Sequence, residues 1–145
     1  MMPNPLSLIS GKGELPEVEQ LGTISLEELN QYHCNNPDRR CLCLFGKIYD
    51  VTAAANSYGP EGAYKEYAGH DMTLTIGAHV TGDKWLDKFV KLDEKMYSSA
   101  KNWSEYYDTK YPVCGRLDKW DEDYESWPEL TDEEKEQLKK GCCIM

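Results

Sequence analysis

The 145-residue chain has no long uninterrupted apolar run; its longest, 41–45, stops at Gly46. A membrane-spanning helix needs roughly 20 such residues, and a secretory leader needs an apolar stretch of about 7–15 behind a basic start, so neither is expected. Glycine does not follow the first methionine, which excludes an N-myristoylation signal. Basic residues are also in short supply: 16 Lys and Arg stand against 26 Asp and Glu, for a formal net charge of -10. Nucleic-acid binding needs clustered cations to neutralise phosphates, so that class is excluded. Gly11-Lys12-Gly13 is too short for a phosphate loop, and no Ser, His and acid set stands in a recognisable motif. The chain is therefore not expected to be an enzyme in its own right. Histidine is limited to three residues and no Cys-x-x-Cys pair exists, so a zinc site is not expected either.

What the chain does contain suits one domain with tails, since domains usually run about 100–150 residues. Three segments are expected: a flexible leader at 1–22 with Pro3, Pro5 and Pro16, a folded domain at 23–117, and an acidic tail at 118–145. Residues 118–140 carry ten of the 26 carboxylates and four of the 16 basic residues. Such a segment reads as a solvated face or as a docking strip for a basic partner, and composition leaves both open. The six cysteines are expected to remain thiols without a leader to an oxidising compartment. Cys41 and Cys43 fall on one face of an extended run and read as buried strand thiols; Cys34 and Cys114 read as packing residues.

Local signals give an α+β order of elements. Ser25 with Glu28 is a helix-start box before Leu26 and Leu29. The runs 41–45 and 48–51 read as a hairpin about Gly46-Lys47. Thr52 can cap a short turn, Pro60 can open a helix through Tyr64 and Tyr67, and a further helix is expected from Gly82-Asp83 with Trp85, Leu86, Phe89, Val90 and Leu92 on its buried side. Ser98 or Ser99 is expected to begin another, carrying Trp103, Tyr106 and Tyr107, and the chain then returns to the sheet over 111–117. Thr131 with Glu134 starts a terminal helix that is polar all round and is expected to stand off the domain.

Ten tyrosines and four tryptophans fit a pocket for a flat apolar ligand, although most rings would be core in any fold. The spacing in Tyr58-Gly59-Pro60-Glu61-Gly62-Ala63-Tyr64 is more telling: two phenols flank a Pro-opened turn where backbone can approach a ligand closely and both hydroxyls can face one cavity. The alternative is that both are half-buried structural tyrosines.

These residues, together with Gly46-Lys47-Ile48-Tyr49-Asp50-Val51-Thr52, Tyr67-Ala68-Gly69-His70-Asp71, Trp103, Lys110-Tyr111 and Gly115-Arg116-Leu117, resemble the membrane-associated progesterone receptor family. The resemblance implies a cytochrome b5-like haem-binding fold, a small mixed sheet with several short helices forming a haem pocket. It implies haem b as cofactor, with Tyr64 as the axial iron ligand and Tyr58, Lys110 and Tyr111 hydrogen-bonding or neutralising the ligand and its propionates. It further implies a non-catalytic regulator of, or haem supplier to, membrane haem-thiolate monooxygenases of sterol metabolism, and it allows a haem-mediated homodimer. Electron-carrier cytochromes b5 use two histidines, one in a His-Pro-Gly-Gly loop that this chain lacks; His33, His70 and His79 are expected at the surface. A b5-like electron carrier, using His70 or His79, and a haem-free prenylated membrane adaptor are the competing readings.

The family members often carry an N-terminal membrane segment. Here Cys142-Cys143-Ile144-Met145 matches a prenylation signal in which Cys142 carries the lipid, with Met favouring farnesyl over geranylgeranyl. The expected location is the cytoplasmic face of a membrane, most simply the endoplasmic reticulum, with the lipid as a weak reversible anchor.

Overall fold

The computed structural model describes residues 15–144, with side chains through Lys140. Residues 1–14 of the expected leader, and the side chain of Cys142, lie outside the described residues.

The frame is a four-stranded mixed sheet in the order β1-β4-β3-β2. Strand β1 (Gly22–Ile24) runs parallel to β4 (Val113–Leu117), which is antiparallel to β3 (Lys47–Asp50), itself antiparallel to β2 (Cys41–Leu44). Strands β2 and β3 are buried on both faces: Leu42, Leu44 and Tyr49 join the helical side, and Cys41, Cys43 and Ile48 join a cluster covered by Val18, Leu21, Leu26 and Tyr32. The expected α+β architecture is present. The hairpin turns at Phe45-Gly46 rather than Gly46-Lys47, and both residues have positive φ, 53° and 81°. That is the backbone handedness a two-residue hairpin needs. Phe45 holds this uncommon conformation because its amide donates to Thr73 Oγ1 at 3.0 Å and its ring packs edge-on against Tyr97 and Trp120.

Helix α1 (Leu26–Leu29) starts as expected, with the Glu28 amide donating to Ser25 Oγ at 3.2 Å. After β3 come α2 (Ala55–Tyr58) and α3 (Thr73–Ala78); between them the helix expected from Pro60 through Tyr64 and Tyr67 is only a 3₁₀ turn, Lys65–Tyr67, because the chain folds back over 59–64. The helix expected beyond Gly82-Asp83 is only a 3₁₀ turn, Asp83–Trp85. Asp87 ends it: at φ 56° its amide donates to Asp71 O (2.9 Å) and its carboxylate accepts from the Asp71 amide (2.7 Å), so the chain crosses to the 70–71 loop. Trp85, Leu86 and Val90 are buried all the same. The long helix α4 (Glu94–Lys110) begins earlier than Ser98, because Asp93 caps it by accepting from the Met96 amide at 2.8 Å.

Both ends of the chain depart from the sequence expectation. Leu21 donates its amide to Cys114 O at 2.6 Å, and Val18 and Leu21 pack on the sheet, so 15–22 is docked. In the 118–140 segment Trp127, Leu130 and Leu138 are buried, and Trp120 Nε1 donates to the buried Asp71 carboxylate at 2.7 Å. Helix α5 (Asp132–Ile144) has the expected reciprocal cap, Thr131 amide to Glu134 at 2.9 Å and Glu134 amide to Thr131 Oγ1 at 3.1 Å. It does not stand off the domain, because Leu138 enters the cluster of Leu74, Ala78, Val80 and Trp85. Burying one such leucine stabilises by about 1.5–3 kcal/mol, and the charged residues on the other faces of the helix stay in water, so docking does not desolvate them. Cys41, Cys43 and Cys114 are buried thiols as expected, and Cys34 is half-buried.

Candidate functional site

The turn after α2 is built by two glycines. A Cβ on Gly59 would come 2.6 Å from Ala55 O, and one on Gly62 would come 2.2 Å from Ser57 O. Only hydrogen fits, so the chain folds back: the Gly62 amide donates to Gly59 O at 2.9 Å and the Tyr64 amide to Ser57 O at 2.8 Å. This return places Tyr58 and Tyr64 on the same side, with ring centroids 6.3 Å apart.

They form one wall of a cleft of about 360 Å³. The second wall is α3 and its exit, through Ile76, His79 and Val80; the third is the end of α4, through Trp103, Tyr106, Tyr107, Lys110 and Tyr111. Tyr58, Tyr64, Lys110 and Tyr111 thus share one cavity.

Their environments differ. Tyr58 is 3% exposed and its hydroxyl lies 2.5 Å from that of Tyr107. One hydroxyl donates to the other, which leaves a second O–H able to donate elsewhere. Burial, then the Tyr107 hydroxyl, pushes the Tyr58 phenol far above its ordinary range, and burial holds Tyr107 at about 12 against the lowering effect of the Tyr58 bond. Both are therefore neutral donors at physiological pH. Tyr64 is 52% exposed at the mouth, its ring stacked on Tyr67 at 6.0 Å and 9°. Lys110 Nζ sits 5.5 Å from the ring centroids of both Tyr106 and Tyr111. Partial burial alone would lower this amine, but the phenol oxygens of Tyr111 and Tyr106 outweigh it and leave it above its ordinary value. Tyr111 is buried, edge-on to Tyr58. The cleft joins apolar ring walls to a cation at the rim and an accessible phenol at the mouth.

The histidines separate cleanly. His33 is exposed. His70 is half-buried rather than free on the surface, its Nδ1 2.7 Å from Asp87. His79 is exposed yet lines the cleft, with Nε2 3.0 Å from Ser99 Oγ. The α3 wall was invisible in the sequence because a six-residue helix carries too few turns to show a period. The α4 wall had a signal in the one-turn steps from Trp103 to Tyr107 to Lys110-Tyr111. Among the described residues no three His, Cys, Asp or Glu side chains gather as a metal site.

Residues 25–118 match the model of the cytochrome b5-like Heme/Steroid binding domain. The chain belongs to this family. Within the family it is 34% identical over 115 residues to membrane-associated progesterone receptor component 2 of Homo sapiens, covering 76% of this chain and 50% of that one. It is 29% identical over 98 residues to the cytochrome P450 regulator dap1 of Schizosaccharomyces pombe, covering 62% of this chain and 59% of that one. The chain thus spans little more than half the length of these relatives. A solved structure from Arabidopsis thaliana, described as having a cytochrome b5 like fold, superposes with a TM-score of 0.62 at 26% identity, covering 70% of this chain and 94% of that one. The relatives are named as receptor components or regulators, not enzymes. Among the described residues no helix is long and apolar enough to cross a membrane.

The residues of the cleft fit the group this domain family is named for. Ring walls suit a flat macrocycle, Lys110 suits a carboxylate on its edge, and the volume falls within the roughly 300–1,000 Å³ of ordinary ligand sites.

Proposed function

We propose that this b5-like domain binds haem b in the aromatic cleft, with Tyr64 as the iron ligand and Tyr58, Lys110 and Tyr111 holding its polar edge. The observation that carries the reading is the convergence of all four residues on a single cavity. Ferric haem, when bound, supplies a Lewis-acidic iron that favours a hard anionic oxygen. Tyr64 suits that role because its phenol stands half-exposed at the mouth of the cleft, where an incoming macrocycle can meet its oxygen. Tyr58 and Tyr107, kept neutral by burial, remain hydrogen-bond donors beside it. Lys110 places an ammonium where a propionate can reach it.

The role we propose is non-catalytic: regulation of, or haem supply to, haem-thiolate monooxygenases of sterol metabolism, in line with the name of the dap1 relative. The open mouth, with Tyr64 and Trp103 exposed, suits a haem-mediated homodimer. Prenylation at Cys142 would hold the domain on the cytoplasmic face of the endoplasmic reticulum.

Haemin titration followed by visible absorption tests the core of the reading. A high-spin ferric spectrum that Tyr64→Phe abolishes supports it; an unchanged spectrum in that variant overturns it. For the anchor, Cys142→Ser is expected to release the protein from cell membranes, and unchanged fractionation counts against it. The electron-carrier alternative now rests on His79, since it lines the cleft while His70 is engaged by Asp87. Sharp low-spin bands on reduction, lost in His79→Ala, would favour it.

A further inference from the structure

Helices α3, α4 and α5 enclose a second cavity, of about 630 Å³, on the far side of His79. Its floor is apolar: Gly77 and Ala78 of α3, Met96 of α4 and Leu138 of α5. A Cβ on Gly77 would meet Met96 O at 2.7 Å, so the close approach of α3 and α4 depends on that glycine. The rim carries Lys95, Lys135 and Lys139, all exposed.

Among the described residues these three amines form no ion pair, although nearby Lys88 pairs with Glu134 and Lys91 with Glu125. The one carboxylate lining the groove, Asp93, already accepts from the Met96 amide. A locally cationic rim over an apolar floor therefore interrupts a chain whose net charge is -10. Three cations without a carboxylate partner among the described residues, bordering an apolar floor, are complementary to a ligand with an apolar body and an anionic head. His79 and Ser99 line this groove as well, and His79 also lines the aromatic cleft, so the two cavities are neighbours that share His79.

We propose that this groove binds a single-chain lipid anion of the fatty-acid class, with its hydrocarbon on Ala78, Met96 and Leu138 and its carboxylate at the lysines. The proposal does not rest on the haem reading, and its test keeps the two apart. Oleate, below its micelle concentration, is titrated into the full chain by calorimetry. Saturable one-to-one binding is expected, weaker in high salt and weakened about tenfold or more by the double reversal Lys95→Glu, Lys139→Glu, the scale of losing close charge contacts. Both positions are exposed, so the variant should keep its circular dichroism and its haemin spectrum. Oleyl alcohol should bind more weakly than oleate, and Tyr64→Phe should leave oleate affinity unchanged.

No oleate binding, or binding indifferent to the reversal and equal for the alcohol, overturns the proposal. Loss of oleate binding in Tyr64→Phe assigns the lipid to the aromatic cleft and overturns it too. So does binding confined to vesicles of anionic phospholipid, which makes the groove a membrane contact, or a concentration-dependent dimer that the reversal abolishes, which makes it an interface between copies.

Discussion

Two indoles of the 118–140 segment, Trp120 half-buried and Trp127 buried, allow a paired experiment in which the same atoms are removed and the hydrogen bonding differs. Trp120 Nε1 donates at 2.7 Å to Asp71, a carboxylate 1% exposed, whereas Trp127, 6% exposed, has an Nε1 with no partner among the described residues. Phenylalanine at either position loses one ring's worth of packing. At Trp120 it also strips a donor from a buried acid that keeps the Thr73 amide at 2.9 Å, the Thr73 hydroxyl and the Cys43 thiol, a loss of about 1–3 kcal/mol. At Trp127 it removes an N–H whose desolvation is uncompensated, relieving about 1–3 kcal/mol and offsetting much of the packing loss. Trp120→Phe should therefore be less stable than Trp127→Phe by roughly 2–6 kcal/mol, out of a total that for such domains is about 5–15. Urea unfolding reads this directly: at an m-value of about 1–3 kcal/mol per M, the midpoints should differ by about 1 M or more with m unchanged. Equal midpoints, or the reverse order, would refute the assignment of the Trp120–Asp71 bond as what ties this segment to the domain.

Leu138→Ala should cost about 2–4 kcal/mol, as for other buried leucines, while Glu133→Ala on the exposed face of α5 should cost under about 0.5; equal effects in denaturant midpoints would mean that α5 is not docked. Gly62→Ala, with its Cβ 2.2 Å from Ser57 O and 2.8 Å from Tyr58 N, should displace the Tyr64 turn and weaken haemin uptake by tenfold or more, read by titration, while Ala63→Gly at the exposed neighbouring position should change it little. The bond to Asp87 raises the His70 pKa above 6.5, outweighing the lowering by burial, so the folded form binds this proton more tightly than the unfolded one. The stabilisation is complete below the unfolded value of about 6.5 and fades as pH rises through the higher folded value; Asp87→Asn should flatten that decline, and an NMR titration of the His70 ring should show its midpoint falling.

How much of this was legible beforehand follows from the length over which each signal acts. The caps at Ser25 and Thr131, the hairpin around Gly46 and the turn that brings Tyr58 and Tyr64 to one cavity are each decided within a few residues and are present, although the helix expected from Pro60 is not. The Gly59 and Gly62 contacts explain why that motif is readable: the backbone leaves no room for a side chain there, so the residue type reports the geometry. The misread segments are those where a distant partner decides. Residues 83–92 carry apolar residues at helical spacing, but Asp87 is drawn to Asp71 across the loop and the helix stops after one turn.

The acidic end illustrates the same principle in reverse. Net charge correctly describes its solvent face, yet three residues, Trp127, Leu130 and Leu138, decide where it lies, because each buries apolar area against clusters assembled from earlier parts of the chain. Averaging over the segment hides them, since charged residues outnumber them severalfold. Docking α5 also builds the lysine-rimmed groove, which exists only because Leu138 supplies part of its floor and Lys135 and Lys139 part of its rim. A helix standing off the domain would carry those amines away from the α3–α4 surface and leave the Gly77–Met96 contact uncovered. The same packing that overturns the free-tail expectation is thus what creates a second candidate site beside the first.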